Sequence, residues 1–408
     1  VTGVTADKNR EVVGATDEHP YVYLDYAASA PLRASALAAI EAYRAQPFAV
    51  ANPQSLHSWG RAASRALEEA RSSVARSLGG GFRPGDVSFT GGGTEANNLC
   101  LFGLAEGARA KDARRTTVLV SAIEHDSVLD VAPALKQEGF TVELLPVTRE
   151  GQLDLAALAA ALGPDVALVS CMYANNETGV LQPIGEVAQL AHAAGALLHV
   201  DAVQALGHVP VEVSQVDAVS CAGHKLGAPV SAAACAVRAR TPFVPRLLGG
   251  GQEGKRRPGT QDVANARALA AVLEECVGSV TTTRSLVWAR ANALYQQVCA
   301  GGAVLPTVPA ALDPAAGERF LPGMVSVVVP GLESESLILA LDAAGFAVSA
   351  GSACSSGSLD PSHVLLAMGL SRDVAFGSLR ISFDERVAPE DLTRCGKALL
   401  GAIERLKR

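Results

Sequence analysis

Residues 196–229 read ALLHVDAVQALGHVPVEVSQVDAVSCAGHKLGAP. Two short apolar runs lie in this stretch, at 196–203 and 218–224, separated by polar and turn-forming residues. Runs of this length, rich in Val and bounded by Gly, Pro and Asp, predict buried strands rather than helices. The first carries Asp201 at its end and the second hands over to Lys225. The same texture repeats outward. DVSFTGG at 86–92, TVLVSAI at 117–123, TVELLPV at 141–147, VALVSCMYA at 166–174 and AACAVRA at 233–239 are further predicted strands. Helical patterns fall between them, as at 58–79 and 184–195. Strands alternating with helices predict an α/β fold with a mainly parallel sheet of seven strands, covered on both faces. Beyond about residue 280 the style changes to a long helix near 282–300, then MVSVVVP at 324–330, ESLILALDAAG, HVLLAMG, SLRISF and a last helix from about 389. GERFLPG at 317–323 is expected to be a loop. The expected organisation is a tail over 1–20, a large domain over 34–280, and a smaller α+β domain made of 21–33 and 281–408.

Composition narrows the function. The chain has 408 residues, 49% of them apolar but only 4% aromatic, which fits an Ala- and Val-rich globular protein. A net charge of −7 does not favour direct nucleic-acid binding. No window approaches about 18 uninterrupted apolar residues, so no membrane span is expected. Residues 1–20 are polar and lack an apolar signal-peptide core, which predicts a flexible tail and a cytoplasmic protein. None of the 8 cysteines forms a CxxC pair, so no metal site is expected. Most lie in apolar runs and read as small buried hydrophobes. Cys354 differs. It stands in SAGSACSSGS at 349–358, where nothing is bulky and the residues are those of a mobile loop.

Three features carry candidate chemistry. FTGGGTEANNL at 89–99 runs strand, glycine cluster, helix. Its glycines let the backbone approach a ligand, and the helix start offers unpaired N–H groups to a phosphate. Asp201 is a carboxylate at a strand end, costly to bury without a cation. Lys225 follows another strand among small residues, where a dry setting favours Schiff-base chemistry. Alone, each also fits a plainer role: a tight turn, an ordinary strand-end acid, a snorkelling lysine. Together, in this chain order, they match what pyridoxal 5'-phosphate needs: an anion cup, a partner for the pyridine nitrogen and an amine for the aldehyde carbon. His125, just past a strand end in SAIEHDSV, can stack on a ring and move protons, or cap a helix.

With these motifs in view, the chain resembles the cysteine desulfurases of pyridoxal-phosphate fold type I, in the group that serves nitrogenase and housekeeping iron–sulfur assembly. The resemblance runs from YLDYAASAP almost to the end, through NPQSLH, FTGGGTEANN, EHDSVLD, ANNETG, HVDAVQ, GHKLGAP, GGGQEGKRRPGTQDV and SAGSACSSGSLDPSHVL. The sister group for stress carries a shorter cysteine loop. The resemblance implies that Lys225 holds the cofactor, Asp201 pairs with its ring nitrogen, Gln204 bonds its phenolic oxygen, Asn176 sits at the ring edge and His125 stacks on the ring. It implies Gly93, Thr94 and His224 at the phosphate, and Thr260 reaching the phosphate of a neighbouring subunit in a homodimer. Asn52 and Arg380 would bind the substrate carboxylate, and Cys354 would take the sulfur. Two positions depart from the family pattern. Ala222 stands where a hydroxyl residue often adds a phosphate bond, and Pro258 stands in Arg257-Pro258-Gly259-Thr260 where Ser is usual.

The expected activity is removal of sulfur from L-cysteine, giving L-alanine and a persulfide on Cys354. An acceptor protein for iron–sulfur assembly, tRNA or other thiolation, or DNA phosphorothioation would then collect it. A selenocysteine lyase or aminotransferase would share the cofactor residues, although an aminotransferase has no use for Cys354. A sulfur-relay or redox-sensing binding protein would not need so full a set of cofactor residues.

Overall fold

The computed structural model describes residues 21–351 and 360–408. Twelve strands are present among them: β1 Val22–Tyr23, β2 Val87–Thr90, β3 Thr117–Ser121, β4 Thr141–Leu145, β5 Val166–Met172, β6 Leu197–Asp201, β7 Ala218–Ala222, β8 Ala233–Val237, β9 Leu305–Pro306, β10 Met324–Val328, β11 Phe346–Ala347 and β12 Ser378–Ser382. Seven form one sheet in the order β2-β8-β7-β6-β5-β3-β4. β8 runs antiparallel to both neighbours, and the other pairings are parallel. These are the seven strands expected from the sequence. Strands β5, β7 and β8 are buried at every residue, as a sheet covered on both faces requires.

Because β2, β3, β5, β6 and β7 point the same way, their carboxyl ends share one edge of the sheet. In open α/β sheets this edge is where ligands bind. Asp201 forms such an end, and the glycine cluster, His125 and Lys225 follow others.

A second core gathers around β10, β12 and β9, with Trp288, Tyr295, Phe320 and Phe383 buried in it. The helix Val263–Cys299 serves both cores. Its first half packs on helices Ala34–Arg44 and Ser58–Leu78, and it also packs on helix Pro389–Leu406. It begins some nineteen residues before the start expected near 282 and continues without a break. The segment 317–323 is not wholly a loop, since a 3-10 turn runs over Pro314–Arg319. Arg33 ties the N-terminal segment to both parts. Its Nε donates to Leu226 O at 2.8 Å, and its guanidinium meets Glu275 at 2.7 Å, Glu385 at 2.8 Å and Asp384 at 3.1 Å.

Candidate active site

One cavity of about 550 Å³ opens at the carboxyl edge of the sheet. It is lined by Gly93, Thr94, His125, Asn176, Asp201, Gln204, His224, Lys225 and Arg380, nine of the residues singled out from the sequence. Asn52, Thr260 and Ala222 are not among its lining residues. Asn52 and Thr260 are exposed elsewhere on the chain, and Ala222 is buried behind the wall. Cys354 lies outside the described residues.

Helix Gly93–Lys111 begins at the cavity, and its N-cap, Gly92, supplies no side-chain cap. The first-turn N–H groups therefore remain available to an anion, with the positive end of the helix dipole behind them. A Cβ at Gly93 would come within 3.1 Å of Val203 Cγ2 and 3.5 Å of Ala222 Cβ, so the helix start lies close against the strand ends and a side chain there would crowd Val203. His224 completes the cup. Burial, with the charges of Lys225 and His125 nearby, pulls its imidazole down to about 4, so it is neutral near pH 7.

Asp201 ends β6, and Lys225 sits in the short turn after β7, the next strand. Asp201 is 6% exposed. Its Oδ1 accepts from Val203 N at 2.9 Å and its Oδ2 from Asn97 Nδ2 at 2.6 Å. Lys225 Nζ donates to the carbonyls of Ala27 at 2.8 Å and Ala28 at 3.0 Å. Those carbonyls belong to the N-terminal YLDYAASAP segment, which is bonded to the lysine turn through Ala30 N to His224 O at 2.8 Å and Arg33 N to Gly227 O at 2.8 Å. Gly227 adopts φ +97°, and a Cβ there would meet Pro31 O at 2.6 Å, so the turn needs glycine to lie this close. Gln204 Nε2 donates to Ala27 O at 2.9 Å.

His125 caps helix Asp126–Leu129, its Nδ1 accepting from Ser127 N at 3.0 Å. Arg380, 1% exposed, forms the far wall. Its Nη1 donates to Asn176 O at 2.9 Å and Gly351 O at 3.2 Å, and its Nη2 pairs with Asp25 at 2.9 Å. Its Nε is buried without a partner among the described residues. Three donors are thus used, and the pair on the Nε/Nη2 edge keeps capacity for a carboxylate.

Several contributors were not singled out in the sequence. Asn97 braces Asp201, and Asp25 braces Arg380. His363 lines the cavity and its Nε2 bonds Glu124 O at 3.0 Å. Glu124 is wholly buried beside Asp201; its Oε1 accepts from Met172 N at 2.6 Å, and burial together with the Asp201 charge holds it well above the usual carboxylate range. Glu177 accepts a short hydrogen bond from Ser362 Oγ, and burial raises its carboxyl too. The motifs flagged ANNETG and EHDSVLD, but not what their acids do.

The GGGQEGKRRPGT segment at 249–260 is anchored from within the chain. Glu253 meets Arg71 at two points, Nη1 to Oε2 at 2.5 Å and Nη2 to Oε1 at 2.9 Å, and accepts from Phe89 N at 2.8 Å. Glu253 and Lys255 hold left-handed φ of 47° and 68°. Arg257 pairs with Glu95 at 2.7 Å.

Other thiols are poor nucleophiles. Burial pushes Cys221, Cys276 and Cys395 up to about 12. Cys100 is held down to about 5 by its hydrogen bond with Cys235, yet it is fully buried and cannot meet a substrate.

This donor set fits pyridoxal phosphate: a dianion cup, a braced carboxylate beside a lysine on adjacent strands, and a guanidinium across the cavity. The chain matches the aminotransferase class-V family over residues 22–394. It is 38% identical over 398 residues to the IscS-like cysteine desulfurase of Mycobacterium tuberculosis H37Rv, covering 95% of this chain and 97% of that one. A solved NifS-like protein superposes with a TM-score of 0.84 at 29% identity, covering 94% of this chain and 99% of that chain. A structure described as SspA in complex with cysteine matches with a TM-score of 0.73 at 28% identity, covering 89% and 98%. The chain belongs to the aminotransferase class-V family and, within it, to the cysteine desulfurases.

Proposed function

We propose that the chain takes sulfur from L-cysteine, releases L-alanine, and stores the sulfur as a persulfide on Cys354 for transfer to an acceptor protein. The observation that carries this reading is the meeting of Lys225, Asp201, His125 and Arg380 around one cavity beside an uncapped helix start. When bound, pyridoxal phosphate supplies an electron sink for the carbanion left at the substrate's α-carbon. Arg380 holds the substrate carboxylate through its Nε/Nη2 edge. Lys225 takes the α-proton, from a position fixed by the Ala27 and Ala28 carbonyls. The Cys354 thiolate forms a bond to the substrate sulfur as the carbon–sulfur bond breaks. The carbon side keeps the electron pair and gains a proton, so cysteine plus one thiol gives alanine plus one persulfide.

The working unit in this reading is a homodimer. Val50, Leu56 and Leu248 are 86%, 89% and 91% exposed, unusual for large apolar side chains. They accompany the exposed Asn52 and Thr260, and a second copy would cover them while bringing Thr260 to its neighbour's phosphate. The division into a large unit over 34–280 and a small unit of 21–33 and 281–408 belongs to the same reading, with the cavity between them. Among the described residues no helix is long and apolar enough to cross a membrane.

The test is to titrate the protein with pyridoxal phosphate, add L-cysteine with excess dithiothreitol to reduce the persulfide, and measure alanine and sulfide. Equal amounts of both without 2-oxo-acid consumption support a desulfurase. Alanine that depends on a 2-oxo acid indicates transamination, and no alanine at all indicates a binding protein. Cys354→Ala should bind cofactor normally and form no persulfide.

A further inference from the structure

A hydrogen-bonded chain joins the group expected at the cofactor's ring nitrogen to the group expected on its ring face. Asn97 Nδ2 donates to Asp201 Oδ2 at 2.6 Å and to Ser127 Oγ at 2.9 Å. Ser127 Oγ lies 2.9 Å from His125 Nδ1, and Ser127 N donates to the same nitrogen at 3.0 Å. Asn97 is 1% exposed and Ser127 8%. With both amide hydrogens of Asn97 committed, Ser127 Oγ accepts from Asn97 and turns its own hydrogen toward His125. A backbone N–H can only donate. Nδ1 therefore accepts, and a neutral His125 carries its proton on Nε2.

We propose that Asn97 and Ser127 are positioning residues that couple Asp201 to His125 and, together with the Ser127 backbone N–H, hold His125 in the Nε2–H form. The inference rests on the proposed roles of Asp201 and His125 and deepens them. An imidazole locked this way has no lone pair on Nε2. It can donate a hydrogen bond there, but cannot act as the base that removes the α-proton. That task is left to Lys225, and the Nε2–H of His125 donates a hydrogen bond to negative charge developing on the substrate.

The test is 15N NMR of the histidine rings in the full-length protein, with and without pyridoxal phosphate, the His125 signals being assigned by difference against His125→Gln. An unprotonated Nδ1 with a protonated Nε2 near neutral pH, present before cofactor is added, supports the proposal. A protonated Nδ1 overturns it. Asn97→Ala should loosen Asp201, raise the cofactor dissociation constant roughly tenfold to a hundredfold, as loss of a hydrogen bond to a charged group does, and broaden the tautomer signals. Ser127→Ala removes a single oxygen and keeps the backbone N–H on Nδ1, which keeps the test open should Asn97→Ala fold poorly; it should broaden the same signals without reversing the tautomer, with a smaller loss of affinity. Both variants leaving tautomer and affinity unchanged would overturn the coupling. Undiminished cofactor binding by Asp201→Asn would instead overturn the reading of the cavity, a separate result, because the tautomer is measured without cofactor.

Discussion

Glu253→Gln removes one charge from a buried pair while keeping its volume. The Arg71 and Glu253 side chains are only 7% and 0% exposed. The amide oxygen of Gln can still accept from Phe89 N or from Arg71, but the guanidinium loses its compensating charge. Its other carboxylate, Glu68, is 56% exposed and screened by water. Breaking a buried pair on one side costs about 3–5 kcal/mol. The left-handed backbone at Glu253 and Lys255 adds strain of about 1–2 kcal/mol per residue, which the anchor now holds in place. A loss of about 3 kcal/mol spread over a 408-residue chain lowers the melting temperature by about 4 °C. In the proposed homodimer the anchored segment brings Thr260 to the neighbour's phosphate, so the variant should also elute as a weaker dimer and bind cofactor less tightly. Differential scanning fluorimetry, size-exclusion chromatography and cofactor titration read these three effects. Arg71→Met combined with Glu253→Met should recover much of the lost stability, since no unpaired charge remains buried. A melting temperature within 1 °C of the parent for Glu253→Gln, with dimer and cofactor affinity intact, would refute the reasoning.

Three further outcomes follow from the site. The folded His224 titrates near 4, below the ordinary imidazole value of about 6.5, so the unfolded chain binds the extra proton between these values. Cofactor-free stability should rise from pH 4 to 6.5 by about 2 kcal/mol after allowing for partial exposure, and His224→Asn should flatten that slope in urea melts at several pH values. Glu124 has the opposite sign: its folded carboxyl stays protonated above the ordinary range, so its contribution is present at low pH and fades as pH rises. Glu124→Gln keeps an acceptor for Met172 N and should be more stable than the parent at pH 8, with the advantage vanishing near pH 4. Arg380→Lys loses the forked donor edge and should raise the KM for L-cysteine by roughly tenfold to a hundredfold, while cofactor affinity changes little.

The sheet was legible because its strands are short apolar runs fully covered by helices, and that burial leaves a plain trace in composition. The predicted strands ran about two residues too long, as at Ala202 and Val203, because the chain stays apolar while it turns into the site. The early half of Val263–Cys299 was less visible. Gly278 and the Thr281–Thr283 run disfavour helix locally, and packing against both cores overrides them. The bracing residues were hidden for another reason. Asn97 meets Asp201 across 104 positions and Arg71 meets Glu253 across 182. No local periodicity reports a contact that only the folded chain creates.

The helix Val263–Cys299 extends for 37 residues, about 55 Å at 1.5 Å per residue. It works as a common axle for the two cores, and an axle fixes phase as well as distance. Adding or deleting one residue near its middle would turn everything downstream by about 100°. Trp288 and Tyr295, now buried, would swing toward water, and polar neighbours would face the core. Surface loops absorb such length changes at little cost. Here a single-codon insertion should be as damaging as a truncation, however mild the residue inserted.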